Sequence, residues 1–279
     1  ASQGLNEFFS FERAQSLLDL SMHSILPLRQ SDLEEWMDDP ETFHLNQVSL
    51  TAVESPRAAA ERLIVALLES AITGSGLVTL LGQLLQDPSQ GTVATAQVNA
   101  IAQSQSLPTD VLLWDARYLA TGIVATHLRN GGLDFGQWFL NTLAPSLNVL
   151  SQSNSGDSAP PLLTRRILWL VGTWMSEVPN ELRPSLYSAL VDLLSSGSIA
   201  GSSGLDAAVS LTLLRTLTSA VDSWDFNAAA FMPLTGATVA GLYNMLSVFD
   251  ELDSRLQVMN LLHLILSNVG GDVIRSCVE

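Results

Sequence analysis

The side chains most able to do chemistry are concentrated in an acidic segment near the N-terminus. Residues 31–43, SDLEEWMDDPETF, contain closely spaced carboxylates and no basic residue. These carboxylates are Asp32, Glu34, Glu35, Asp38, Asp39 and Glu41. Dense negative charge attracts a basic partner and raises the association rate more than the final affinity. In the other interpretation the segment is a solvated interhelical stretch, in which Ser31 and Glu34 form the capping box of a short helix that stops before Pro40.

No group of residues predicts a reaction. His23, His44, His127 and His263 are isolated from one another, and Cys277 is the only cysteine. No metal-ligand spacing is therefore present, although ligands gathered from distant helices would escape this test. The sequence has no phosphate-binding glycine motif, no H-E-x-x-H and no G-x-S-x-G. We expect no metal, no cofactor and no enzymatic activity, and an all-α enzyme is the weakest of the hypotheses.

Tryptophan is the residue type most enriched at protein interfaces, so the six tryptophans are candidate anchors for a partner. They are Trp36, Trp114, Trp138, Trp169, Trp174 and Trp224. Most of them lie among aliphatic residues at helical spacing, which favours packing in the core. We expect Trp36 to be the exception, because its sequence neighbours are carboxylates.

Composition limits the class of partner. The chain has 279 residues, 47% hydrophobic and 14% charged, which predicts a folded protein with a large core. Its 12 basic residues, all arginine, and 28 acidic residues give a net charge of −16, so we expect basic partners and no nucleic acid. No apolar run reaches the roughly 18 residues of a membrane span, and the lone cysteine favours a reducing, intracellular compartment.

These residues must be positioned by helices, because the apolar residues recur at helical spacing. Ile167, Leu170, Val171, Trp174 and Met175 follow the i, i+3, i+4, i+7, i+8 pattern, and similar patterns recur up to residue 269. The pattern predicts helix pairs at 5–27 with 55–70, 74–86 with 109–128, 134–149 with 163–176, 181–195 with 205–221, and 231–249 with 253–269. Long loops are expected at 87–108, 151–160 and 196–204.

The spacing of the pairs predicts a solenoid. The second helices start near residues 55, 109, 163, 205 and 253, and the later intervals approach the ~40 to 47 residues of HEAT repeats. One amphipathic pair cannot bury its apolar face alone, so pairs stack. We therefore predict an all-α solenoid of HEAT-type antiparallel helix pairs, with residues 1–279 as a single array of about five pairs. Because the chain starts at Ala1 inside a helical pattern, we expect it to be a fragment of a longer receptor.

Two separate parts of the sequence resemble one known family. The run SDLEEWMDDPETF is similar to an early signature of the karyopherin-β, or importin-β-like, transport receptors. The blocks RRILWLVGTWMSEVPNELRPSLYSALVDLL, DFNAAAFMPL and LDSRLQVMNLLHLIL resemble the importin-eleven branch, including its fungal counterparts. The similarity covers nearly the whole chain, and it is strongest at 29–43 and 163–265.

The resemblance implies a function as well as a fold. It implies a right-handed superhelical receptor that binds basic protein cargo and the GTPase Ran, contacts Phe-Gly nucleoporins and shuttles between cytoplasm and nucleus. It also implies that the second helices line a concave face, where Glu61, Asp110, Asp115, Trp174 and Glu177 are candidate contacts. Asp206 is followed by Val209 and Ser210 where the family pattern has Val-Arg, so a continuous Asp-Arg ladder is not expected. The alternative is a HEAT-repeat scaffold that assembles other proteins without transport.

Overall fold

The fold is all-α. The structure is a computed structural model that describes residues 10–49, 51, 53–70, 73–151, 160–196 and 206–269. These ranges contain helices, turns and loops but no β-strand, which confirms the predicted fold class. Cys277 and the predicted loops at 152–159 and 197–204 lie outside the described residues.

The helices follow one another with short connections. Their bounds are α1 Phe11–Leu20, α2 Gln30–Asp38, α3 Pro40–Ser49, α4 Pro56–Glu69, α5 Gly74–Leu84, α6 Gln90–Ala102, α7 Thr109–Ile123, α8 Ala125–Asn130, α9 Phe135–Trp138, α10 Ala144–Leu150, α11 Leu162–Thr173, α12 Arg183–Ser196, α13 Ala207–Val221, α14 Ala228–Phe231, α15 Thr235–Val248 and α16 Leu252–Val269. Wider π-helical turns at Ser21–Ile25 and Phe139–Leu143 extend α1 and join α9 to α10. Short 3-10 turns follow α11 and α14.

A row of four helices packed side by side forms the centre of the fold. Helices α7, α11, α13 and α16 pack side by side in chain order, each against the next. Each is also packed by the helix that precedes it in the chain: α6, α10, α12 and α15 respectively. From residue 134 onward the helices pair in the predicted order. We call α7, α11, α13 and α16 the ladder.

The early part of the chain departs from the predicted elements. Helix α6 lies inside 87–108, where we expected a loop, and it is α6 that packs along α7. The predicted pairing of 74–86 with 109–128 is therefore wrong for most of its length, because α5 packs mainly on α4 and also contacts α1 and the short α8. Helix α3, which starts at Pro40, was also not predicted.

Glycines let the ladder helices approach closely. A Cβ at Gly122 of α7 would overlap the indole of Trp169 on α11. A Cβ at Gly172 of α11 would lie 3.3 Å from the Cα of Thr216 on α13. The Thr216 hydroxyl donates a hydrogen bond of 2.8 Å to the carbonyl of Leu168, across the same interface. Close backbone approach and a polar tie between neighbouring helices fix their register.

The described helices can be compared with the length and apolarity of a membrane span. Within the described ranges, no single helix combines the length and apolarity needed to cross a bilayer. The bent pair α4 and α5 meets those criteria of length and composition only when its two helices are taken together.

Candidate partner-binding surface

Helices α2 and α3 carry the acidic segment across the ladder. Their helix bounds are Gln30–Asp38 and Pro40–Ser49, and α3 packs on α13. We call residues 30–49 the brace. Helix α2 begins one residue before Ser31, and the carboxylate of Asp32 accepts a 2.8 Å hydrogen bond from the backbone N–H of Arg29. The expected capping box at Ser31 and Glu34 is thus replaced by one that uses Asp32.

The six carboxylates of the brace differ in how far their side chains are exposed to solvent, from exposed to buried. Glu34, Asp38 and Asp39 are exposed, and Asp32 and Glu35 are half-buried. Glu35 accepts a 2.7 Å hydrogen bond from the amide of Asn46 on α3. Asp39 caps α3 through the backbone N–H of Thr42, and that bond lowers the pKa of the carboxyl. The brace therefore presents three exposed negative charges, one on α2 and two at the turn between its two helices.

Trp36 is fully buried, so the expectation that it is the exposed tryptophan is wrong. Its ring stacks on Phe43 of α3 with centroids 4.7 Å apart. Its indole N–H donates to both carboxylate oxygens of Asp206, at 3.0 and 3.1 Å. The charged sequence neighbours of Trp36 point elsewhere on α2. Trp36 is therefore unavailable to a partner and instead holds the brace to the start of α13.

Glu41, in the first turn of α3, is also buried. Its two carboxylate oxygens accept hydrogen bonds from the backbone N–H groups of Asp250 and Glu251, at 2.9 and 3.2 Å. A carboxylate at this place favours the positive end of α16. Glu41 is thus a structural tie between residues that lie 210 positions apart in the chain.

Asp115 is buried in an ion cluster. Its side chain has no exposed area, and it accepts hydrogen bonds from Arg166 Nε at 2.6 Å and from Arg57 Nη2 at 3.3 Å. Glu61 lies beside the cluster, and burial raises the pKa of its carboxyl above the usual value. Asp115 therefore pairs with two guanidinium groups and is not accessible to a partner, which corrects its expected role.

The remaining candidates are spread along the molecule. Asp110 is exposed in the first turn of α7. Trp174 is buried and stacks on Phe135 with centroids 5.1 Å apart, so it is a core residue and not a surface contact. Glu177 is partly exposed and pairs with Arg129 at 2.9 Å. The tryptophan that the structure does expose is Trp224, with 98% of its surface accessible.

Sequence reasoning missed the buried arginines. Arg165 and Arg166 are buried in the first half of the ladder helix α11. Arg183, at the start of α12, is also buried and donates hydrogen bonds to the carbonyls of Met175 and Val178. Two adjacent arginines inside an otherwise apolar helical pattern were a visible signal, since a charge on a buried face needs a partner. Among the described residues, no group of three or more His, Cys, Asp or Glu side chains is placed to hold a metal.

The known proteins similar to the chain include importin-11 and importin beta-like proteins. No family model matches the chain. It is 26% identical over 268 residues to importin-11 of Homo sapiens, covering 95% of this chain and 25% of that protein. It is 23% identical over 272 residues to the importin beta-like protein kap113 of Schizosaccharomyces pombe, covering 96% and 25%. It is 27% identical over 260 residues to the importin beta-like protein KAP120 of Saccharomyces cerevisiae, covering 92% and 23%.

A solved structure has the same fold. The structure of Lph2, described as a bidirectional nuclear transport receptor in S. cerevisiae, matches with a TM-score of 0.74 and 24% identity, over 97% of this chain and 25% of that one. The chain spans about a quarter of the length of the relatives that it matches. The resemblance to importin-β-like proteins of the importin-eleven branch, predicted from the sequence, is confirmed.

Proposed function

We propose that the chain is a segment of a nuclear transport receptor that binds basic cargo and Ran without covalent chemistry. Its importin-β-like relatives support a role in nuclear transport. On this proposal the whole receptor contacts Phe-Gly nucleoporins and shuttles between cytoplasm and nucleus, and residues 1–279 form one continuous array. Among the predicted contacts outside the brace, Glu61, Asp110 and Glu177 stay candidates because all three are at least partly exposed.

The observation that carries the proposal is the group of exposed carboxylates on the brace. Glu34, Asp38 and Asp39 stand on a segment that is tied to the start of α13 by Trp36 and to the start of α16 by Glu41. A rigid acidic surface attracts a basic partner without first having to order a flexible loop. In a chain of net charge −16, this attraction acts over the ~8 Å screening length at physiological salt.

Binding of an arginine- and lysine-rich peptide to the 279-residue chain tests the role of the brace. We expect the affinity to fall steeply between about 50 and 300 mM salt, because exposed charges are screened over shorter distances as salt rises. Changing Glu34→Gln, Asp38→Asn and Asp39→Asn together should weaken binding at low salt by about tenfold, which corresponds to ~1.4 kcal/mol.

A matched triple variant serves as the control. Glu181→Gln, Asp192→Asn and Asp222→Asn remove the same charge from exposed positions near α12 and α13. Equal losses in the two variants would show that only net charge matters, and affinity that does not respond to salt would refute the acidic surface.

The transport role needs the longer receptor. A pull-down with Ran loaded with GTP or GDP, using a full-length receptor that contains this segment, distinguishes a carrier from a scaffold. Preference for one nucleotide state supports the carrier. Binding that ignores the nucleotide, or no binding, supports the scaffold.

A further inference from the structure

A cationic cavity lies under the brace, between the ladder helices and α4. It has a volume of about 200 Å³. Its wall contains four arginines, one from α4, two from α11 and one from α13, and these are Arg57, Arg165, Arg166 and Arg215. A third of the 12 basic residues of a strongly acidic chain thus line one cavity. Clustering of like charges is unfavourable, so this arrangement calls for a compensating group.

The carboxylates near the cavity do not supply full compensation. Glu61 is the one carboxylate in the wall, and its single negative charge cannot balance four guanidinium groups. Asp115 is held by Arg57 and Arg166. Asp206 accepts the indole N–H of Trp36 and the backbone N–H of Val209.

Arg165 is buried and forms no ion pair with the described residues, whereas Arg57 and Arg166 both pair with Asp115. It is 8% exposed and lies against the rings of Trp36 and Phe43, at 5.5 and 5.2 Å from their centroids. Burial, together with the charge of Arg166, lowers the pKa of Arg165 to about 9, which still leaves it charged at neutral pH. A buried cation with no carboxylate in direct contact is a costly group.

Several buried polar atoms at this place lack a hydrogen-bond partner. Within the described residues, the Nε atoms of Arg57 and Arg165 and the Nε2 atom of His44 are buried without a hydrogen-bond partner. His44 lines the cavity, and burial, with Arg165 and Arg215 nearby, lowers its pKa to about 3, so it is neutral at physiological pH. Buried polar atoms normally have partners, and exceptions in a polar cavity mark a place for an ion or a water molecule.

We propose that this cavity binds an oxoanion of the phosphate class. Guanidinium groups match phosphate oxygens in charge and geometry, and arginine clusters are a recurrent means of recognising phosphorylated residues. A phosphate group carries about −1.5 to −2 charges at neutral pH, which compensates more than one guanidinium at once. The ligand is a free phosphate ion or the phosphate of a modified side chain, and both would use the same donors.

The first experiment is a calorimetric titration of the 279-residue chain with inorganic phosphate at constant ionic strength, adjusted with sodium chloride. Saturable binding with about one site, together with a higher melting temperature, is the expected result. A phosphoserine peptide and its unphosphorylated form are titrated in parallel to separate the two sources. Saturable binding of either phosphorylated ligand supports the site. Failure of both to bind, or equally tight binding of acetate, would overturn the proposal.

Variants locate the binding. Arg215 is exposed, so Arg215→Gln leaves the fold intact and should weaken phosphate binding about tenfold through loss of a charge-assisted contact. Arg62→Gln is the matched control, because Arg62 is exposed on α4 and lies outside the cavity wall. If both variants weaken phosphate binding equally, binding depends only on the total charge of the protein, and the proposal that phosphate binds in this cavity fails. A failure here leaves the transport proposal untouched, since that proposal depends on the exposed carboxylates of the brace.

Discussion

At the scale of single residues, Asp115 is a buried carboxylate that pairs with two arginines in the described core. It lies without exposed surface between Arg57 and Arg166 and accepts hydrogen bonds from both. Breaking a buried pair by removing one partner costs ~3 to 5 kcal/mol, because the remaining charge is left uncompensated. Asp115→Asn should therefore lower the free energy of unfolding in a urea titration by about that amount.

The neighbouring acid on the same helix is the control for this prediction. Asp110 is exposed in the first turn of α7, so Asp110→Asn should cost at most about 1 kcal/mol, the usual value of an exposed charge near a helix N-terminus. Equal destabilisation by the two variants would contradict the structural role of Asp115.

Residue roles were the hardest feature to predict from the sequence. Trp36 has charged neighbours in the chain, yet its indole bonds to Asp206, 170 residues away. Asp115 and Arg166 likewise meet across 51 residues. Local sequence reports which face of a helix is apolar, but it carries no information about which distant side chain will meet it.

At the scale of helices, the spacing of the ladder depends on small residues. Gly122 faces Trp169 so closely that a methyl group would displace the indole. Gly122→Ala should therefore destabilise the protein by about 1 to 3 kcal/mol, as overpacking does. Gly82→Ala in α5 is the control, because a Cβ there meets no atom within 4 Å.

Thermal unfolding distinguishes the two glycine variants. Gly82→Ala should stabilise by about 0.4 to 1 kcal/mol, because alanine reduces the freedom of the unfolded chain. The prediction fails if Gly122→Ala melts at the same temperature as the wild type or above it.

The helices that the sequence predicted are those with bulky apolar stripes. Residues Ile167, Leu170 and Val171 of α11 are buried as their spacing indicated. Helix α6 was missed because QGTVATAQVNAIA buries small and polar residues, including Gln97, whose amide oxygen accepts the backbone N–H of Leu163. A helix stabilised by short side chains leaves a weak periodic signal.

At the scale of the whole molecule, the brace adds distant contacts to an array whose other helices mostly contact helices of the same or the next pair. Repeat arrays unfold in local units because each unit contacts only the next. Glu41 ties the brace to the start of α16, so Glu41→Ala should loosen residues 30–49 before the ladder. Hydrogen exchange should show faster exchange of amides in α2 and α3, while those of α7 and α11 keep their protection.

Glu34→Ala is the matched change for this measurement, because Glu34 is exposed on the same segment. It should leave the exchange of α2 and α3 close to that of the wild type. If exchange rises equally in both variants, or rises across the ladder as well, Glu41 does not tie the brace locally.

The distance that Glu41 bridges also affects how the protein is made. The backbone groups that it binds leave the ribosome 210 residues after it, and translation at ~5 to 20 residues per second makes this a delay of roughly 10 to 40 s. In the first part of that interval, until Asp206 and α13 emerge, Trp36 and α3 lack the surface on which they pack, although the earlier helices can already pair. We therefore expect nascent chains stalled before residue 206 to recruit chaperones at this segment, and completed chains to release them.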